Sequence, residues 1–362
     1  MRGTAAGALL ALAASAWLLA PPALASGSAR AGTQSAPGGA VAAAPAVSTS
    51  ASVTDAANAA STSPTATPPA AGKLTLLLLD AFTIGRAEVT IPHRAVDVRG
   101  IVRPYVPGQS VSLRIYLDGR LIMSRTVAIV RSAQSGDGLF TQAIASPAPG
   151  NMRIAVSHPA SQAQSGFGSS RMLWVLRARA GLGSHGEFVR LIQQRLAALH
   201  IYVRQSGRFD SFTALALDAY HRLLGWGTYR ALDARTINYL LDGFGRFHVR
   251  FPGQGPHAEG DLTHQLLALL AGSRVRYIFP ISSGKPSTPT ILGSFRIYYR
   301  VPGYLPDGMY YSSFFYRGYA IHGYDPAPDY PASHGCMRLP IQDAVFVYDW
   351  LRMGDWVDTY YR

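Results

Sequence analysis

The chain is poor in disulfide partners, in lysine and in long apolar runs. It has one cysteine, Cys336, in 362 residues. Its only lysines are Lys73 and Lys285, so a formal charge of +13 is carried almost wholly by arginine. Beyond the N-terminus, no segment approaches the roughly 20 apolar residues that a bilayer span requires. A lone cysteine excludes an internal disulfide and leaves a free thiol. The arginines are scattered and no nucleic-acid motif accompanies them, which argues against nucleic acid as a partner. For an exported chain the excess positive charge fits attraction to an anionic cell wall.

Export is the reading of the first 25 residues. Arg2 is a thin positive start, Ala5 to Ala20 is apolar, and Ala23-Leu24-Ala25 is a small-x-small cleavage site. The same segment, left uncleaved, would be an anchor. No cysteine follows the apolar stretch, which excludes a lipid-anchored lipoprotein. The expected location is the cell envelope, in the periplasm or the wall. Residues 26–72 are Ala, Ser, Thr, Pro and Gly with almost no large apolar side chain, and read as a disordered tether.

From residue 73 to about 178 the pattern becomes short and alternating. Ala95 to Val102 and Val111 to Leu117 read as strands, followed by Asp118-Gly119, then Leu121 to Met123 and Thr126 to Val130. Asp-Gly between alternating runs predicts a hairpin, because a type I′ turn needs positive φ at both central residues. Met152 to Val156 and Leu173 to Leu176 add further strands. The sum is a small β-sandwich, immunoglobulin-like in outline, serving as a spacer or wall-contacting module.

Residues 181–243 switch to helical spacing. Val189, Ile192, Leu196 and Leu199 share one helix face. Leu215, Leu217, Tyr220 and Leu224 share another, in a helix from Phe212 that closes at Gly225. A third helix starts at Asp233 as N-cap and ends at Gly243. Residues 246–362 return to strands: Leu266 to Leu270, a turn at Ala271-Gly272-Ser273, Val275 to Phe279, Ser294 to Tyr299 and Gly318 to Ile321. One late helix spans Pro340 to Leu351.

The chemistry concentrates in Ile321-His322-Gly323 and Ser333-His334-Gly335-Cys336-Met337-Arg338-Leu339. A free thiol has a pKa of about 8.5, so it needs a base or a positive charge to act as a nucleophile near neutrality. His322, at a strand end, supplies a base. Gly335 lacks a Cβ, so a substrate carbonyl can approach the backbone closely, and the N–H groups of residues 334–336 are candidates for an oxyanion hole. Arg338 is placed to meet a carboxylate or to brace the loop. Two readings stay open beside this one. Cys336 with both histidines, and Asp325 or Asp329, has the donors of a metal site. His334 equally suits a structural role, holding the loop by hydrogen bonding.

These two stretches resemble the L,D-transpeptidase family, also called YkuD. Ser282-Ser283-Gly284-Lys285, Thr288-Pro289 and Gly293-Ser294-Phe295 resemble the family's upstream segment, and the likeness covers roughly residues 250–362. The helical stretch resembles the peptidoglycan-binding-like domain, through Val189-x-x-Ile192-Gln193-x-x-Leu196, Gly207-x-Phe209-Asp210-x-x-Thr213 and Ala216-Leu217-x-x-Tyr220-His221. There Tyr220-His221 stands where an aromatic-Gln pair is usual, and a helical spacer without a ligand is the competing reading.

The resemblance implies a multidomain chain with a mainly β catalytic domain, preceded by a three-helix domain and the sandwich. It implies peptidoglycan stem peptides as donor and acceptor, no cofactor and no metal. Cys336 then attacks the L-centre carbonyl of diaminopimelate in a tetrapeptide stem. D-Ala leaves, and a second stem's amine resolves the thioester to a 3→3 cross-link. His322 matches the general base and acid, and Gly323 the carbonyl that orients it. His334, Gly335 and Cys336 match the oxyanion-hole segment, with His334 counted among the catalytic residues and Ser333, Gly335 and Arg338 among those that orient the substrate. Two departures stand out. The connection from His322 to Ser333 is short and holds Pro326, Pro328 and Pro331, and Arg338 replaces an Asn found in some branches. A relative using water as acceptor, an L,D-carboxypeptidase, would share the acyl-enzyme, and a non-catalytic wall-binding scaffold would not form it.

Overall fold

The structure is a computed structural model and describes residues 68–362. The signal segment and the tether up to residue 67 lie outside the described residues. Ala70 already pairs with Gln164, and the Gly72 N–H donates to Ser165 Oγ at 3.2 Å.

Ten strands follow: β1 (Lys73–Leu79), β2 (Phe82–Ile84), β3 (Ala87–Thr90), β4 (Val96–Arg103), β5 (Ser110–Leu117), β6 (Arg120–Ala128), β7 (Val130–Arg131), β8 (Gly138–Ile144), β9 (Gly150–His158) and β10 (Phe167–Val175). They form two sheets, in the orders β1-β4-β8-β7 and β2-β3-β10-β9-β5-β6. The alternating positions of β4 and β5 turn Val96, Val98, Val102, Val111, Leu113 and Ile115 into one shared core. The Asp118-Gly119 turn has φ of 49° and 83°, both positive as its hairpin geometry demands. The run expected at Leu121 to Met123 and most of that expected at Thr126 to Val130 form one strand, β6, which carries an extra residue at Ile122 opposite the Ile115/Tyr116 step, and Val130 falls in β7.

Three helices come next: α1 (Glu187–Ala198), α2 (Ser211–Leu223) and α3 (Ala234–Leu241). Asp210 caps α2 by accepting from the Thr213 N–H, and Asp233 caps α3 by accepting from the Thr236 N–H. Tyr220 and His221 are fully buried. The Tyr220 hydroxyl donates to Phe244 O at 3.0 Å, and His221 bonds Tyr229 O and Thr236 Oγ1. Both side chains therefore spend their polar atoms inside the helical region.

The rest of the chain contributes β11 (Pro256–Asp261), β12 (Leu266–Ala271), β13 (Arg274–Pro280), β14 (Gly293–Arg296), β15 (Tyr299–Tyr304), β16 (Tyr310–Tyr316), β17 (Tyr319–Gly323), β18 (Met337–Leu339), α4 (Ile341–Trp350) and β19 (Trp356–Tyr360). One sheet runs β13-β12-β11-β19-β14 and the other β15-β16-β17-β18. The expected strand from Ser294 to Tyr299 is divided. Ile297 turns into the core, and its N–H bonds Asp355 O, so β14 stops and β15 begins in the other sheet.

Strand β12 explains how the helices dock. Its sequence Leu-Leu-Ala-Leu-Leu is apolar on both faces. Leu267 and Leu269 enter the core between these two sheets. Leu266, Ala268 and Leu270 point the other way, into a core shared with α1, α2 and α3. A strand buried on both faces has no polar alternation to show. Arg222, 4% exposed, fixes the contact. Its Nη1 donates to Gln265 O and Ile281 O at 3.0 and 2.9 Å, and its Nη2 pairs with Asp218 at 2.6 Å. The segment after α1 also covers the edge of β13, through Tyr202 N–H to Ile278 O and Ile278 N–H to His200 O.

Candidate active site

Strands β17 and β18 run parallel, with Ile321 opposite Met337, His322 opposite Arg338 and Gly323 opposite Leu339. Ile321, Met337 and Leu339 face the core. Period-2 alternation then sends Ala320, His322 and Tyr324 to the opposite face, with Cys336 and Arg338 beside them. Cys336 follows directly on the register as the residue before β18. The register puts Cys336 opposite Ala320, so Cys336 and His322 sit diagonally on neighbouring strands.

His322 is 2% exposed. Its Nδ1 lies 2.9 Å from Gly323 O. A carbonyl only accepts, so Nδ1 carries the proton and Nε2 presents its lone pair. Burial lowers the imidazole pKa to about 4, and Arg338 pushes it the same way. Cys336 is half-buried, and its Sγ donates weakly to Gly318 O at 3.5 Å. Burial raises the thiol pKa, against a smaller pull from the Ala320 N–H. Near neutrality the pair is a thiol and a neutral imidazole.

The loop before Cys336 is held by its own serine and by a second segment. Ser333 Oγ donates to Cys336 O at 2.6 Å and accepts the Gly335 N–H at 3.0 Å. Ser283 O receives the N–H groups of Ala332 and Ser333, while Ser333 O receives the Lys285 N–H and the Thr288 hydroxyl. Ser282 and Arg338 exchange both backbone bonds, each at 2.9 Å. Ser283 is fixed in turn by the Gln265 amide, with Nε2 to Oγ and the Ser283 N–H to Oε1 both at 2.8 Å. Gly335 has φ of 120°, and a Cβ there would lie 2.0 Å from Tyr319 Cε1. Only glycine fits beneath that ring.

This geometry narrows the oxyanion-hole expectation. The Gly335 N–H is engaged by Ser333. The N–H groups of His334 and Cys336 have no hydrogen-bond partner among the described residues.

His334 is exposed, and its Nε2 lies 3.4 Å from Lys285 Nζ. No bond brings it to Cys336. Arg338 donates to Ala332 O at 3.5 Å and lies over the Tyr324 ring at 4.0 Å, so it braces the loop while its charge acts on His322. Gly323 packs against α4, where a Cβ would lie 2.6 Å from Ala344 Cβ. Among the described residues, no group of three His, Cys, Asp or Glu side chains stands where it could hold a metal ion.

Residues 256–358 match the YkuD family model, the L,D-transpeptidase catalytic domain. The chain therefore carries this domain over its last third, and both His-Gly elements and Cys336 fall within it. No curated protein matches the chain. Among solved structures, an L,D-transpeptidase (residues 123–326) from Xylanimonas cellulosilytica is 27% identical, covering 50% of this chain and 97% of its own at a TM-score of 0.45. One from Stackebrandtia nassauensis is 20% identical, covering 51% and 95% at 0.33. One from Mycobacterium smegmatis is 13% identical, covering 79% and 99% at 0.27.

Four supports of the L,D-transpeptidase site carry no local signal in the sequence: Gln265, Tyr319, Tyr324 and Arg222. Each acts across a long sequence separation. Thr288 was legible, as part of the Thr-Pro step.

Proposed function

We propose that the protein is an exported peptidoglycan L,D-transpeptidase that forms 3→3 cross-links through a thioester on Cys336. The observation that carries this reading is the shared face of β17 and β18. There Cys336, one residue before Met337, is diagonal to a buried histidine whose Nδ1–H is tied to Gly323 O.

In the acylation half, Cys336 Sγ attacks the L-centre carbonyl of the donor's diaminopimelate, and its proton passes to His322 Nε2. The oxyanion forms against the free N–H groups of the 334–336 loop. Collapse breaks the C–N bond, and the His322 imidazolium returns the proton to the departing D-Ala amine. A thioester remains, which retains the energy of the cleaved peptide bond, so no nucleotide is consumed. In the second half an acceptor stem's amine attacks the thioester carbon and gives a proton to His322. The thiolate leaves and is reprotonated by the same imidazolium. The neutral imidazole is free to accept a proton at each attack, and its imidazolium is a strong acid toward the departing amine and the thiolate. The +13 charge suits retention on an anionic wall.

The test is incubation of the full protein with disaccharide-tetrapeptides and mass analysis of the products. The expected product is a dimer lighter by one D-Ala. Tripeptide monomers with no dimer would make the enzyme a carboxypeptidase, and no product at all would contradict the enzymatic reading.

A further inference from the structure

A cavity of about 540 Å³ opens where the last turn of α1, the segment after α3 and the start of β13 meet. Neither Cys336 nor His322 lines it, so it stands apart from the reaction centre. Its volume lies in the range of small-molecule sites. Its floor is apolar. Phe247 and Ile278 are buried in the core that the three helices share with β12, and Leu199 packs against that core.

The rim is cationic. Arg195, Arg246 and Arg274 reach it from three separate segments, and no Asp or Glu lines it. Arg195 is half-buried. Its Nε donates to Leu240 O at 3.4 Å, and its guanidinium lies over the Phe82 ring at 5.4 Å. Gly243 leaves room for it, since a Cβ there would lie 3.2 Å from Arg195 Nη2. Arg246 and Arg274 are exposed. Among the described residues neither forms an ion pair or a side-chain hydrogen bond. Asp242, beside Gly243 in the chain, is committed to Arg94 at 2.6 Å. The carbonyls that end α1 are occupied too: those of Arg195, Leu196 and Ala197 accept the N–H groups of Leu199, Ile201 and His200.

Three guanidiniums with no carboxylate among them form a local charge that an anion would offset. Guanidinium groups suit phosphate oxygens, which they meet with paired, parallel hydrogen bonds. A bare anion would use the rim and leave the apolar floor in water. We propose that this cavity binds a phosphate ester with an apolar body, the phosphate on Arg195, Arg246 and Arg274 and the apolar part on Leu199, Phe247 and Ile278. Such a site would work whether or not Cys336 transfers acyl groups.

The test is calorimetric titration of the full-length protein with n-octyl phosphate, below its micelle concentration. Inorganic phosphate and n-octyl glucoside supply the two halves of the ligand apart. Octyl phosphate should bind. Inorganic phosphate should bind at least about tenfold more weakly, the scale of two buried methylene groups, and the glucoside should fall below it. Arg246→Gln and Arg274→Gln should each weaken octyl phosphate about tenfold, the scale of one charge-assisted hydrogen bond. Arg276→Gln, which alters an exposed arginine of β13 outside the cavity, should not. The two rim side chains support nothing else, so both variants should melt with the wild type. Sedimentation with phosphatidylcholine vesicles, with and without phosphatidylglycerol, separates the sources of the ester. Binding to the anionic vesicles that the rim variants lose identifies a lipid headgroup, and octyl phosphate binding without vesicle binding identifies a soluble ester. No binding of octyl phosphate, equal binding of the glucoside, or rim variants no weaker than Arg276→Gln would overturn the assignment.

Discussion

The chain contains two His-Gly steps close to Cys336, and the fold treats them in opposite ways. His322-Gly323 ends a buried strand. The imidazole is locked by the next residue's carbonyl, and its pKa is driven down to about 4. His334-Gly335 lies in a loop. Its imidazole is exposed beside Lys285, and the structural content has moved to the glycine, which fits under Tyr319. The same dipeptide therefore gives a buried imidazole in one place and a tight turn under an aromatic ring in the other. Burial and backbone direction decide which.

That contrast can be broken by substitution. The largest expected effect is on turnover. His322→Ala should slow cross-linking by about 10²–10⁴, the usual worth of a general acid–base, whereas His334→Ala should stay within a few-fold. Equal losses at the two positions, measured as dimer formation on tetrapeptides, would remove the distinction.

At Gly335 the effect should show in stability. Gly335→Ala adds a Cβ at 2.0 Å from the Tyr319 ring and at a φ of 120°. It should cost roughly 1–3 kcal/mol from backbone strain, together with the displacement of the ring. Thermal melting would read it, and adding Tyr319→Ala should return the part due to the ring. Ser333→Ala unties the Gly335 N–H and Cys336 O together, and should cost about 1–3 kcal/mol on the same measurement.

The pH profile sharpens the comparison further. His322 must be neutral to act, so acylation should persist well below the ordinary imidazole range of about 6.5 and fall only as pH drops through about 4. The smallest expected effect is that of Arg338→Met. It removes a positive charge that disfavours the imidazolium, so the acid limb should move upward, toward the ordinary range. A limb that moves down or stays fixed would contradict that role for Arg338.

Much of this was legible in the sequence because the causes were local. Asp118-Gly119, the Asp210 and Asp233 caps and the His-Gly and Ser-His-Gly-Cys steps all act within a few residues. The apolar run of β12 was legible as a strand. Its double burial was not, because that depends on the helices that arrive to cover it. Strand β1, starting at Lys73 just after the Ala/Pro-rich tether, was missed because Leu74 to Leu79 shows no alternation beyond Thr75. In the site, sequence named the candidate reacting groups and structure supplied their supports. Gln265 reaches Ser283 from 18 residues away, and Arg222 reaches Ile281 from 59. No spacing rule encodes such contacts. The oxyanion-hole expectation was too generous for the same reason, since Ser333 captures the Gly335 N–H.

The central claim is that Cys336 is a thiol activated by His322 at the moment of attack. The most direct measurement is intact mass and peptide mapping after a timed exposure to a carbapenem, run in parallel on the wild type, Cys336→Ala and His322→Ala. The account predicts a single adduct on Cys336 in the wild type, none in Cys336→Ala, and little or none in His322→Ala at the same time point. An unmodified wild type, or a His322→Ala protein labelled as fast as the wild type, would contradict it.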